Sequence, residues 1–350
     1  MGLKTTVIGS YPKPDYLSLP DWFRLNKDRY TARHFNESIE NAPEDLEKTI
    51  MLATEDVMKQ QTEMGIDIIT DGEIARENYI WYFCRQLKGF NFTELTPTVY
   101  RNGACKTDLP TIDGPVAPMS EKPWLYEKWL AIQALTTTAV KMTIPGPMTI
   151  IGTTANKFYV GREQELSEIL VQCINREVNA LAEAGCKHIQ IDEPILVRSP
   201  DIAMDYGIKH LAACFEGINK DVEKSIHLCC GYPQYLNQVG YLKADAQIYH
   251  DLAPVLDDAG FDAISIEDAH RHNDLTLFDK FKKSTIILGV IKIAEDKIET
   301  VDEITTRVQQ ILKHIPKERL ILAPDCGLAM LPMEVLKLKV ANMVAAAKLL

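Results

Sequence analysis

Residues Gln164–Pro194 read QELSEILVQCINREVNALAEAGCKHIQIDEP. In the first two-thirds the apolar residues Leu166, Ile169, Leu170, Cys173, Ile174, Val178 and Leu181 recur three and four apart, which predicts a helix over 164–184. Gly185 stands where a helix C-terminal glycine belongs. The short apolar run that follows, His188–Pro194, ends in two acids and a proline. A helix passing directly into a buried strand is one half of a βα repeat.

Working outward, the same alternation fills the chain. Short apolar runs rich in β-branched residues occur at Thr5–Ser10, Ile66–Glu73, Val140–Pro147, His188–Pro194, Lys224–Cys230, Ala263–Asp268, Ser284–Ile291 and Arg319–Cys326. They are too uniformly apolar for a solvated face, as expected of parallel strands covered on both sides. Helical periodicity recurs at Glu44–Met64, Ile202–Asn219, Tyr241–Gly260, Val301–His314 and Met333–Leu349. Eight strands alternating with helices predict a single (β/α)8 TIM barrel rather than an open sheet. Two stretches exceed a minimal barrel. Tyr11–Ala42, with Pro12, Pro14 and Pro20, reads as an N-terminal loop insertion, and Leu87–Pro123 as a hairpin excursion after strand 2. Without repeats or linkers, residues 1–350 read as one domain.

Composition narrows the partners. The 350 residues include 38 Lys plus Arg against 49 Asp plus Glu, a formal net charge of -11. Such a chain is a poor binder of phosphate backbones, and it has no basic run for an anionic membrane. Met1–Thr6 lacks the apolar core of a signal peptide, and no run approaches the roughly 18 to 20 apolar residues that span a bilayer. Eight cysteines spread over a long chain without that signal argue against a disulfide framework. The expectation is a cytoplasmic protein whose partners are small molecules, with neither nucleic acid nor membrane among them.

In a barrel, reactive groups stand at the C-terminal ends of the strands. Those ends read Gly9-Ser10, Asp71-Gly72-Glu73, Asp192-Glu193-Pro194, His227-Leu228-Cys229, Glu267-Asp268 and Asp325-Cys326-Gly327. His227 and Cys229, two apart on a strand, share a face, and Cys230 then points the other way. With Glu267 and Cys326 at the same mouth, the donors are an imidazole, two thiolates and a carboxylate, a set that suits tetrahedral zinc. Burial in the packing is the commoner account of an isolated His-x-Cys; convergence at one face is what favours the metal. Exchanging the carboxylate for a substrate thiolate leaves the charge of the centre unchanged. Anionic ligands also keep a bound sulfur nucleophilic, so the set suits attack by a thiolate on carbon.

The chain also resembles a known family, the cobalamin-independent methionine synthases, over nearly its whole length from about Thr5. The matching pieces are Ile8-Gly9-Ser10-Tyr11-Pro12, Asp71-Gly72-Glu73, Gly146-Pro147-Met148-Thr149, Ile189–Pro194, His227-Leu228-Cys229, Ile266-Glu267 and Pro324–Gly327. They correspond to the C-terminal barrel of those two-barrel enzymes. The resemblance implies zinc on His227, Cys229, Glu267 and Cys326. It also implies homocysteine contacts on Ser10, Glu73 and Asp192, with the backbone of Ile8 and Gly9 nearby. The implied reaction is methyl transfer from 5-methyltetrahydrofolate or its polyglutamate to homocysteine, Glu267 yielding its place to the thiol. Read from the residues alone, Glu73 and Asp192 would equally serve as caps of the helices that follow.

Three departures fall on the methyl-donor side of the family pattern. Its Asp-x-His-Ser after the seventh strand becomes Lys292-Ile293-Ala294-Glu295, and its folate-stacking Trp has no counterpart in Ile150–Asn156. Its Cys-Gly-Leu-Lys-Thr-Arg becomes Cys326-Gly327-Leu328-Ala329-Met330-Leu331. Epoxyalkane–coenzyme M transferases, related single barrels, resemble the chain in His227–Gly231, Glu267–Arg271 and Cys326–Leu331. Under that alternative, alkyl transfer to another thiol, Arg271 would face an anionic substrate group instead of making a surface ion pair. Tyr11, Trp22, Phe23 and Tyr30 read either as a substrate lid or as packing of the insertion over the barrel.

Overall fold

The structure is a computed structural model that describes residues 2–22, 32–100 and 105–350. Its strands are β1 (Lys4–Thr5), β2 (Ile68–Thr70), β3 (Leu87–Tyr100), β4 (Cys105–Pro118), β5 (Ala139–Pro145) and β6 (Ala155–Asn156). There follow β7 (His188–Asp192), β8 (Glu223–Leu228), β9 (Ala263–Ile266), β10 (Thr285–Ile291) and β11 (Leu320–Pro324). Eight of them form one parallel sheet in the order β1-β11-β10-β9-β8-β7-β5-β2. A parallel bridge from Thr6 to Ile68 brings its two ends together, so the sheet nearly closes into the expected barrel.

The pairing register carries function, because it levels the strand ends. Asp192 pairs with His227, and His227 with Ser265, so three side chains from adjacent strands stand at one height. Helices pack around the sheet. In the helix Glu163–Glu183 the buried positions include Leu166, Leu170, Cys173, Ile174, Val178 and Leu181, the apolar stripe that the spacing predicts. The helices Val301–Ile311 and Met333–Leu349 also follow the periodicity. Among the described residues, no helix is long and apolar enough to cross a membrane.

The excursion after β2 is a long antiparallel hairpin of β3 and β4, with β6 paired to β4. The N-terminal insertion differs from the loop expected. Ala32–Glu40 is a helix that buries Ala32 and Phe35, with the Arg85 guanidinium over the Phe35 ring at 4.7 Å. Arg85 also donates to Asn36 at 2.7 Å and pairs with Glu77 at 2.6 Å, which ties the insertion to the barrel. A second difference lies after β8. The helix expected from Tyr241 begins at Gln247, because Ala244 N bonds the Cys230 carbonyl at 2.9 Å and holds the chain as a loop across the barrel mouth.

Cys84, Cys173, Cys186 and Cys214 are buried in packing, where burial pushes each thiol up, to about 11 for Cys173 and about 12 for Cys186. Tyr11 also lies in the core, whereas Trp22 faces the mouth. Phe23 and Tyr30 lie outside the described residues.

Candidate metal and thiol site

At the C-terminal end of β8, alternation turns His227 and Cys229 into the barrel and Leu228 and Cys230 outward into the packing against helices. Cys326 lies two residues beyond the end of β11. The ligand atoms of His227, Cys229 and Cys326 lie within 4.8 Å of one another. His227 Nδ1 is held by Ser265 Oγ at 2.9 Å, and its other ring nitrogen, Nε2, is buried without a hydrogen-bond partner among the described residues. An orphaned buried acceptor with its ring fixed from behind is the arrangement of an imidazole placed to ligate a metal. The neighbouring Cys326 thiol, with a smaller contribution from His227, holds the Cys229 thiol well below its usual range, while Cys326 rises. Two thiols and a neutral imidazole fit zinc.

Glu267 is buried beside this trio but not within it. Its Oε1 accepts from Lys243 Nζ at 2.7 Å. Burial and then the charge of Cys229 push its carboxyl up to about 7. Lys243 belongs to the loop that crosses the barrel mouth.

Across the mouth stand Glu73 and Asp192. Gly72 and Glu73 both have left-handed backbones, with φ of 66° and 56°. For glutamate this conformation is strained. It is fixed by the Glu73 N–H donating to Asp71 Oδ1 at 3.0 Å and by Arg76, which donates to Asp71 at 3.1 Å. Glu73 Oε1 accepts from Thr143 Oγ1 at 2.9 Å. Burial pushes its carboxyl up to about 7 against the pull of Arg76. Asp192, also raised by burial, accepts from Gln190 Nε2 at 2.7 Å. Neither acid caps a helix. Asn78 caps the helix Tyr79–Cys84, and no side chain caps the one that begins at Ile195.

A cavity of about 430 Å³ joins the two groups of residues. Ile8, Gly9, Ser10, Glu73, Asp192, His227, Cys229 and Cys326 all line it, but Glu267 and Arg271 do not. Gly327 leaves room for Ser10, since a Cβ there would overlap Ser10 Oγ. Arg271 is held behind the wall, its guanidinium 3.6 Å from the sulfur of the wall residue Cys230. The structure adds wall residues that the sequence reading did not single out, Tyr79, Tyr232 and Lys243. Thr143 and Gln190 had a signal: each stands two residues before a strand end and so shares its inward face.

The family described as "Cobalamin-independent synthase, Catalytic domain" matches residues 3–349. The chain belongs to this family. A methionine synthase of Sulfurisphaera tokodaii is 30% identical over 348 residues, covering 99% of this chain and 92% of that one. One from Pyrococcus abyssi is 29% identical over 352 residues, with 99% and 92% covered. A solved B12-independent methionine synthase from Shewanella sp. W3-18-1, in complex with selenomethionine, matches with a TM-score of 0.86 at 27% identity, covering 100% of this chain and 98% of that one. Cobalamin-independent methionine synthases are homocysteine methyltransferases, and this chain is a transferase of that family.

Proposed function

We propose that the chain is a zinc-dependent thiol S-methyltransferase. In this reading it moves a methyl group from 5-methyltetrahydrofolate, or its polyglutamate, to homocysteine and forms methionine in the cytoplasm. Residues 1–350 act as one catalytic domain. The observation that carries the reading is the unpartnered His227 Nε2 beside two thiols at the end of the cavity. His227, Cys229 and Cys326 would hold zinc, with Glu267 as the fourth, exchangeable group. Zinc held there would make a substrate thiol more acidic, so that it reacts as thiolate.

The remaining residues bind and orient. Glu73 and Asp192 present two carboxylates to the homocysteine ammonium, where charge-assisted hydrogen bonds are strongest. Ser10 Oγ and the backbone of Ile8 and Gly9 border the same end of the cavity and would meet its carboxylate. Lys243 offers Glu267 a partner when the carboxylate stands away from the trio. Tyr79 and Tyr232 wall the cavity, and the Tyr232 hydroxyl is tied to the Gly327 carbonyl at 3.2 Å, which limits water at the reacting sulfur. Arg271 is not among the residues that line the cavity, which gives no support to an anionic thiol such as coenzyme M.

The test is product formation. Purified protein given homocysteine and 5-methyltetrahydrofolate triglutamate should form methionine, stop after chelation and resume with zinc. Alkylation of 2-mercaptoethanesulfonate, with homocysteine inert, would overturn the reading.

A further inference from the structure

The barrel interior holds a charge that the site described above does not use. Lys141 on β5 is 1% exposed. Its Nζ donates to Gln190 Oε1 at 2.6 Å, and among the described residues it forms no ion pair with a carboxylate. A buried ammonium without a carboxylate is strongly unfavourable unless something compensates it. Burial pushes Lys141 down to about 8, and the acid that acts on it most is Asp192, with Glu223 second. Glu223 is engaged by His188 at 3.2 Å, which leaves Asp192 as the partner in charge.

Gln190 connects the two. Its Nε2 donates to Asp192 Oδ1 at 2.7 Å and to the Ile8 carbonyl at 2.9 Å. An ammonium can only donate and a carbonyl can only accept, so the amide has one orientation, oxygen toward Lys141 and nitrogen toward Asp192. Both hydrogens on that nitrogen are then used, one on β7 and one at the end of β1. Those are the two sides of the pocket's amino-acid end.

We propose that Lys141 is a positioning residue: acting through the Gln190 amide, it fixes Asp192 against the end of β1 and so makes this end of the cavity selective for thiols that carry an ammonium group. The inference rests on the reading that Asp192 receives that ammonium. Neither Lys141 nor Gln190 lines the cavity or belongs to the His227, Cys229 and Cys326 trio.

The test compares two thiols by calorimetric titration of the zinc-loaded protein: homocysteine, and 4-mercaptobutanoate, which is homocysteine without its amino group. Lys141→Met should weaken homocysteine about tenfold or more, the size of one charged hydrogen bond, and leave 4-mercaptobutanoate within about twofold. Asp192→Asn should show the same selective loss, and adding Lys141→Met to it should change little further. Lys141→Gln restores a donor without the charge. It should recover part of the loss, and it carries the same comparison if Lys141→Met does not fold. Equal weakening of both thiols, or of neither, would overturn the proposal. If the unaltered protein does not prefer homocysteine over its amine-free analogue, the assignment of Asp192 fails first and the inference with it.

Discussion

Outside the sheet, the barrel strands meet the helices through one apolar cluster that includes Leu170, Ile174, Ile191, Leu252 and Val340. Inside it, the corresponding apolar cluster is Ile8, Ala263, Ile287, Ile321 and Ala323, and other buried inward positions are polar: Lys141, Thr143, Gln190, Asp192, His227 and Ser265. Both layers are buried, although Asp192 and His227 also face the cavity. The layers differ in what a substitution removes, apolar packing in one and a directed hydrogen bond or ligand in the other. A chain can keep its fold while the inner layer changes, which is how one barrel architecture carries many chemistries.

The largest test of that division is at the trio. His227→Ala should weaken zinc by more than about 100-fold, beyond the usual effect of removing a supporting residue, and abolish turnover. Metal analysis and melting in parallel check it, the melt staying cooperative. In the outer layer, Ile174→Ala should lower stability by about 2 to 5 kcal/mol in urea titration while leaving homocysteine affinity unchanged. A shift in affinity there would break the comparison.

Ser265→Ala is the finer probe, because it removes only the hydroxyl that holds His227 Nδ1. Competition with a zinc chelator should show a loss of about 10- to 100-fold, with little change in melting. The remaining test is of pH. Burial pushes the Glu193 carboxyl up to about 8 from its ordinary 4.5, against hydrogen bonds from Thr149 and Met148 N–H. The native state therefore keeps a proton that the unfolded chain loses above about 4.5. The contribution is complete below that pH and is lost as pH rises through about 8. Melting temperature should fall across this window, and Glu193→Gln, whose amide oxygen still accepts from Met148 N–H while its NH2 donates to Thr149 Oγ1, should flatten the fall.

How far the sequence could be read follows the same division. Helices such as Glu163–Glu183 announce their buried face by periodicity, and parallel strands by unbroken apolar runs, so the outer layer and the strand count were legible. The acids, His227 and the two cysteines were legible because they end strands. Lys141 and Gln190 interrupt apolar runs one residue at a time and look like noise, although each shares its face with the strand end two or four residues on. Lys243 escapes any pattern, since a backbone bond from Ala244 to Cys230 places it and no periodicity records that bond. The left-handed backbone of Glu73 depends on Arg76 and Asp71 folding around it. The helix Ala32–Glu40 was hidden by its polar composition, only Phe35 and Ala32 being buried.

The most direct test of the account is calorimetric titration of the zinc-loaded protein with homocysteine in two buffers of different ionisation enthalpy. Zinc-assisted capture of the thiol predicts one-to-one binding that releases about one proton and disappears in Cys326→Ala. Binding of equal strength in Cys326→Ala, or binding of 2-mercaptoethanesulfonate with none of homocysteine, would contradict it.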